Sequence, residues 1–545
     1  MSKIAHYLQD HLTGEVMTSA DARRYFATDG SIFTLLPLMV VYPQNENDIR
    51  KTARFTWQLA ERGRVIPITA RGSGTDQSGA ALGTGIVMAM PAHMNRIIEF
   101  DNKTGVVVVE PGINYGRLQQ TLHTHGRFLP PFPASYEYCT IGGAVANNSS
   151  GEKTVKYGAT LDYVRSLRVV LANGEVIETY RLSKKELSKK LGLATFEGEI
   201  YRALDGLLEE HKQVLDDLIL SVSKNVAGYN LLDIKRRDGT FDLTPLFVGS
   251  QGTLGIVSEV TLETEVHNPV TTLFVASFDS MDAAQTAVLE LKRHDSAPSA
   301  IEMVDEHLLQ LVQQANPNQL KDVIEMPFPK VVLLVECDEN SDRARKKTSK
   351  QVRKVLEQTA AKLIEETDPL KQEKLWKIRH ASAAVVAHSV GAKKAVPIIE
   401  DGVVPLNRFK EYVDGVYSIF AKNHLQVALW GHAGDANLHM QPFLDLSQIG
   451  DRQLAFRIMD EYYSLVLSLG GSTSGEHNDG RLRGPYLDKV YGHDAYELFL
   501  KVKKICDPYG TLNPGVKVGV TMEDLKGMVR THYSMEHLYD HLPRS

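Results

Sequence analysis

Apolar positions along the chain change period several times, and each change marks an expected element. The first residues have helical periodicity and lead into LLPLMVVYP, a strand-like run ended by Pro43. NENDIRKTARFTWQLAERG (45–63) puts Ile49, Ala53 and Trp57 on one face behind a capping Asn45, which predicts a helix. VIPITA (65–70), GIVMAM (85–90) and VVVVEPG (106–112) read as strands, and INYGRLQQTLHTHG reads as a helix ending at Gly126. VRSLRVVLANGEVIET (164–179) is a hairpin turned at Asn173-Gly174. Residues 185–240 are expected to be mostly helical, and LFVGSQGTLGIVSEVTLE (246–263) to run strand, glycine loop, strand.

Around residue 268 the pattern changes. TTLFVASFDSMDAAQTAVLELKRH, SAIEMVDEHLLQLV and VVLLVECD alternate strand with helix, as in an α+β domain with an antiparallel sheet. The expected division is 1–267, 268–465 and a last segment, 466–545, that begins glycine-rich and ends in turns. No internal repeat or low-complexity linker interrupts it.

At 545 residues the chain is long enough for two to four domains, and 43% hydrophobic with 23% charged residues is the balance of a globular protein. A net charge of −6 argues against a protein built to grip nucleic acid. The basic run RARKKTSKQVRK (343–354) fits the solvated side of a helix. Cys139, Cys337 and Cys506 stand far apart, without the spacing of a disulfide framework or a cysteine-held cluster, so a reducing compartment is expected. The N-terminal residues lack the apolar core of a signal peptide, and no apolar run approaches the ~20 residues that span a bilayer. A cytoplasmic protein is expected, with peripheral association at the inner face of the membrane left open.

Three loops carry candidate chemistry. RGSGTDQSGA (71–80) can form a nest of backbone N–H groups for an anion. It is not a dinucleotide fingerprint, because Gln77 stands where the third glycine belongs, and it lacks the Lys-Ser/Thr ending of a triphosphate loop. A plain turn would explain one such loop. TIGGAVANNSSGEKTVKYG (140–158) and GSQGTLGIV (249–257) make three, which suits an extended ligand with a central pyrophosphate.

The order RGSGTD, PGINYGRL, PPFPASYEYCTIGGAVANNSSG, YGAT and GSQGTLGIV over residues 30–265 resembles the PCMH-type FAD-binding domain of the vanillyl-alcohol oxidase superfamily. The resemblance implies FAD, with its pyrophosphate on Arg71, Gly72, Ser73, Gly74, Thr75 and Asp76, joined by Ser78. It puts Thr140, Gly142, Gly143, Ala146, Asn147, Ser150 and Gly151 along the flavin and ribityl chain, adds Tyr157 and Gly158, and sets Gly252 and Ile256 near the adenine end. Relatives with tethered flavin carry a histidine after the first loop or a cysteine in the second. Here stand Thr75-Asp76, with Cys139 just before the second, so non-covalent FAD is expected.

GHAGDANLH (431–439) reads as a hairpin with Asp435-Ala436 at its tip, pairing His432 with His439 so that two imidazoles oppose each other with Cβ atoms ~5 Å apart. That spacing serves a structural pair as well as two ligands of one metal ion. GEHNDGR supplies Glu476 beside His477, and two histidines with a carboxylate form a catalytic metal set with an open position. Together with LNPGVK, these motifs resemble the C-terminal half of the D-2-hydroxyglutarate and D-lactate dehydrogenases and of the related glycolate oxidases. The resemblance implies zinc or manganese on His432, His439 and Glu476, with His477 as base. It further implies Arg379 and Lys394 as cations for the substrate carboxylate, with a surface position as the plain alternative for each, and Asn513 facing the flavin. Lys517 is expected at the surface, and Ala383, where relatives often carry a hydroxyl, leaves the hydroxy acid undefined.

The expected function is oxidation of a D-2-hydroxy acid to the 2-oxo acid, with hydride passing to flavin N5, the cation lowering the pKa of the hydroxyl, and His477 taking its proton. These 545 residues carry no cysteine-rich iron–sulfur motif, and electrons are expected to leave for a separate iron–sulfur protein, an electron-transfer flavoprotein or a quinone. A homodimer is compatible with the sequence. The alternatives are an alcohol or sugar oxidase of the same fold, a metal-dependent hydrolase whose glycine loops are only turns, and a non-catalytic electron-transfer or scaffold subunit.

Overall fold

The computed structural model describes residues 3–293, 298–382, 389–390 and 392–534. Strands Met39–Tyr42 and Ile68–Arg71 flank Ile86–Ala89 in parallel, and Glu15–Met17 adds an antiparallel edge. Helices Lys3–His11 and Glu46–Glu61 cover this sheet through Ile4, Leu8, Ile49 and Ala53, and the side chain of Asn45 caps the second helix as its sequence predicts. A five-stranded antiparallel sheet follows in the order Ile97–Asp101, Val106–Val109, Ile256–Glu263, Val164–Val170, Val176–Thr179.

The helices of the last segment return to this half of the molecule. Leu487, Tyr491, Leu498, Phe499, Val502 and Cys506 pack into one core with Val109, Leu118, Val169 and Tyr201. Residues 185–240 are less helical than their periodicity suggests. Helices Lys184–Leu191, Phe196–Glu210 and Lys212–Asp216 end there, and 217–243 runs without regular structure. This stretch finds its partners in the loops around it, with Val226 N–H donating to the Ser474 carbonyl (3.1 Å) and Gly228 N–H to Asp479 (2.8 Å).

The second half is built on a six-stranded antiparallel sheet, ordered Lys362–Glu366, Thr272–Phe278, Val331–Cys337, Ala300–Asp305, Trp430–His432, Asn437–His439. VVLLVEC is buried throughout because both faces are covered. Leu333 and Val335 pack with Ala284, Val288, Val352 and Leu356 of helices Met281–Lys292 and Asp342–Thr359. Val332 and Leu334 face Leu308, Val312 and Ile378 of the opposite layer. The basic run 343–354 lies on the outer side of its helix, as its spacing predicts.

The two halves meet at the end of that central strand. Lys153 binds Glu336 and, at 3.0 Å, Asp338; Asp338 also accepts from Lys156 (2.5 Å) and the Tyr157 hydroxyl (3.0 Å). Among the described residues no helix is long and apolar enough to cross a membrane.

Candidate functional site

A cleft opens where the end of Ile68–Arg71 meets the start of Ile256–Glu263. It is lined by all three glycine loops: Arg71 through Asp76, then Thr140, Gly142, Gly143, Ala146 and Asn147, then Gly252 and Ile256. At Gly72 and Gly142 other backbone and side chains come too close for a Cβ. One at Gly72 would meet Thr140 Oγ1 at 2.3 Å, and one at Gly142 would meet Pro111 Cβ at 2.6 Å. The Arg71 guanidinium is committed to the carbonyls of Thr28 (2.8 Å) and Ala81 (3.4 Å), so it braces the loop. Asp76 closes the same loop by accepting from Ser78 and Ala80 N–H and binds the second through Asn147 Nδ2 at 3.1 Å.

The other expected cofactor residues stand outside this lining. Ser78 and Asn513 lie behind it: Asn513 is fully buried and spans Thr69, the Ala80 carbonyl and the Gln251 carbonyl. Ser150 turns to Glu476, and a Cβ at Gly151 would strike the Phe132 carbonyl oxygen at 2.0 Å. Tyr157 binds Asp338, and a Cβ at Gly158 would meet Asp162. Gln251, which sequence reasoning misses, holds the loops together: its Nε2 donates to Asn147 Oδ1 (2.9 Å) and Ser78 Oγ (3.3 Å), and its Oε1 accepts Gly480 N–H at 2.8 Å. Its place inside a glycine motif, where it takes a positive φ (52°), is the available signal.

The histidine hairpin forms with a different register. His432 pairs with Asn437, and Trp430 with His439, because a 3-10 turn at Ala433–Asp435 and left-handed Ala436 occupy the tip. The slip is two residues, so both imidazoles stay on one face. Their ring centroids are 5.2 Å apart and nearly perpendicular. GEHNDGR reaches them: Glu476 Oε1 lies 3.0 Å from His432 Nε2, 3.1 Å from His439 Nε2 and 3.6 Å from His477 Nε2.

Each imidazole is aimed from behind through its Nδ1. His432 meets Glu302 (2.7 Å), His439 the Glu400 carbonyl (2.7 Å), and His477 the Glu400 carboxylate (2.7 Å). These acceptors hold a proton on each Nδ1 and aim the three Nε2 atoms at Glu476, the outer-shell arrangement of a metal site. The two glutamates are anchored in turn, Glu302 by Arg379 at 2.6 Å and Glu400 by Arg483 at 2.6 Å. Asp401 comes within 4.8 Å of ligand atoms of His439, Glu476 and His477. Its oxygens already accept the N–H groups of Glu476 and His477 and the Ser474 hydroxyl, so Asp401 shapes the turn. Glu302, Glu400 and Asp401 are each visible as acids inside apolar strings, AIEMVD and VPIIEDGVV.

Electrostatics follow from this burial. Burial disfavours a charged His432, yet the Glu302 and Glu476 carboxylates raise its pKa to about 9. His477 also rises to about 9, against burial, through Glu400 and Asp401. His439 is lowered, by burial first and by its histidine neighbours, against the pull of Glu476. Burial would raise Glu476, but His432 and Lys224 hold it well below the carboxylate range. A divalent cation fits this donor set: it would displace the protons that the raised His432 and His477 otherwise hold, and would meet converging imidazole nitrogens, one carboxylate oxygen and an outer shell already in place.

Arg379 is not a surface residue; it is buried, with Glu302 and Ser382 as partners. Lys394 is half-buried on Lys393–Ala395, paired in register with Leu444, and among the described residues no hydrogen bond or ion pair ties it to the histidines. Lys517, expected at the surface, is fully buried against Asp479 at 2.8 Å. Ala383 lies outside the described residues.

Fold and site define a class: the chain carries the FAD binding domain and the C-terminal domain of FAD linked oxidases, on the PCMH-type fold. Residues 37–180 match the family model of the FAD binding domain, and residues 267–516 that of the C-terminal domain of FAD linked oxidases. Among curated proteins it is 28% identical over 527 residues to the D-2-hydroxyglutarate dehydrogenase of Escherichia coli (strain K12), covering 93% of this chain and 50% of that one. It is 29% identical over 494 residues to the D-lactate dehydrogenase of Anaerostipes hadrus, covering 88% and 90%. This chain therefore spans about half the length of the first relative. The 4-ethylphenol oxidase from Gulosibacter chungangensis, solved as an isoeugenol complex, shares the fold with a TM-score of 0.67 at 14% identity, covering 96% and 99% of the two chains.

Proposed function

We propose that the chain is an FAD- and divalent-metal-dependent dehydrogenase that oxidises a D-2-hydroxy acid of the D-lactate or D-2-hydroxyglutarate class to the 2-oxo acid. The observation that carries this reading is the convergence of three Nε2 atoms on Glu476 Oε1, joined through Ser150 to the second glycine loop. The names of the curated relatives supply the substrate class. In this reading residues 1–267 hold FAD without a covalent bond, 268–465 cover the substrate, and 466–545 complete the site. Zinc or manganese would sit on His432, His439 and Glu476.

When bound, FAD supplies a hydride acceptor at N5, and the cation lowers the pKa of the hydroxyl it meets. His477, which a bound cation would keep unprotonated, takes the hydroxyl proton. Its side chain is 30% exposed, against 6% for His432 and 8% for His439, so it is the imidazole open to a substrate. Glu400 holds His477 Nδ1 and stabilises the imidazolium, while Arg483 keeps Glu400 from turning. Arg379, fixed through its Nε by Glu302, would meet the substrate carboxylate, with Lys394 as the second cation. A separate iron–sulfur protein, electron-transfer flavoprotein or quinone then takes the electrons.

Anaerobic bleaching of the flavin by a panel of D- and L-2-hydroxy acids tests the reading. The D-acids should bleach it, a chelator should block bleaching, and H477A should abolish it with FAD still bound. A coloured protein indifferent to every hydroxy acid and to chelation would sink the proposal.

A further inference from the structure

We propose that Lys224 is a positioning residue that restricts Glu476 to a single-oxygen ligand and so keeps coordination room for the substrate. The inference rests on the reading of Glu476 as a metal ligand. The two oxygens of this carboxylate have separate surroundings. Oε1 faces the histidine nitrogens, whereas Oε2 is taken by Lys224 Nζ at 2.7 Å and Ser150 Oγ at 3.0 Å. Both members of the ion pair are sequestered, Lys224 at 5% and Glu476 at 6% exposure, so their attraction is poorly screened and removing one leaves the other's charge uncompensated.

Its position is fixed on both sides. Ser223 Oγ donates to the Asp435 carbonyl (3.0 Å), and Val226 N–H to the Ser474 carbonyl (3.1 Å). The irregular segment is thereby pinned to the histidine hairpin by one neighbour and to the GEHNDGR turn by the other. Lys224 enters between them.

The chemistry gives this arrangement a purpose. A carboxylate free to bind through both oxygens fills two positions on a cation and neutralises more of its charge. A 2-hydroxy acid needs two positions, one for the hydroxyl and one for a carboxylate oxygen. With Oε2 tied to an ammonium and a hydroxyl, Glu476 offers only Oε1. The ammonium also draws charge from the ligand, which leaves the cation a stronger Lewis acid.

The test uses full-length K224M and K224R, and S150A as a milder variant should K224M not fold, each purified with FAD. Manganese and zinc affinity is measured by titration without substrate, and KM and kcat with the hydroxy acid that bleaches the wild type. In K224M the metal should bind at least as tightly as in the wild type, because a repelling charge is gone and Oε2 is released. KM should rise by about tenfold or more. K224R should recover part of that rise, and S150A should move in the same direction by a few-fold. Loss of metal affinity in parallel with KM would make Lys224 a structural prop and overturn the proposal, as would KM within twofold of wild type in K224M, or in S150A if K224M fails to fold. Failure of the underlying reading is distinct: the wild-type protein would then neither bind the metal nor lose activity to a chelator.

Discussion

The glycine-loop cradle and the histidine centre lie side by side, yet they are made in opposite ways. The cradle is mostly absence: glycines at 72 and 142 stand where a Cβ would strike Thr140 or Pro111, so backbone forms the wall. The centre is nearly all charged side chain, with His432, His439, Glu302, Glu400, Glu476 and Lys224 buried together. A wall of backbone is written in short stretches of sequence, which Gln251 and Asn513 then tie together. A buried charge cluster survives only if each charge meets its partner, and those partners come from segments as far apart as 224 and 476.

The contrast implies that the two regions can be damaged separately. H439A should have the largest effect, lowering turnover by more than about a hundredfold with metal affinity, while the flavin spectrum stays unchanged; loss of colour in that variant would mean the regions are one unit. G142V should do the reverse. Overpacking against Pro111 should cost about 1–3 kcal/mol, or roughly ten- to a hundredfold in FAD affinity, with manganese titration of the apoprotein unaffected. The smallest effect on activity is expected at the junction. D338N removes the carboxylate that receives Lys153, Lys156 and Tyr157 and should destabilise the protein by about 3 kcal/mol at neutral pH.

The pH sense of that last change follows from the direction of the shift. Burial raises Asp338, but Lys153 and Lys156 prevail and hold its pKa below 3.8. Its contribution is therefore complete above the unfolded value near 3.8 and fades as pH falls through the lower folded one. Denaturation across the acid range should be less steep in D338N than in wild type.

Legibility in the sequence follows the same division. The three loops are visible because their glycines and small residues are contiguous, and the cleft gathers most residues expected of them. The hairpin is visible as well, but its register is not, because a four-residue tip with left-handed Ala436 looks like a two-residue turn in a string of letters. Residues 217–243 mislead because their apolar spacing resembles a helix, whereas their hydrogen-bond partners lie in distant loops. Lys517 reads as a surface residue because a lysine reveals its burial only through its partner, and Asp479 lies on another segment.

By itself the sequence pointed to the α+β class and the glycine-loop motifs through local order and residue type, and to His432, His439, Glu476 and His477 through family resemblance. Only the tertiary structure decided that Glu476 reaches both histidines, that Glu302 and Glu400 aim them, and that Lys224 holds the far oxygen. The reason is physical. Buried charges are stabilised by opposite charges a few ångströms away, and such proximity is set by how sheets and loops pack, not by position along the chain.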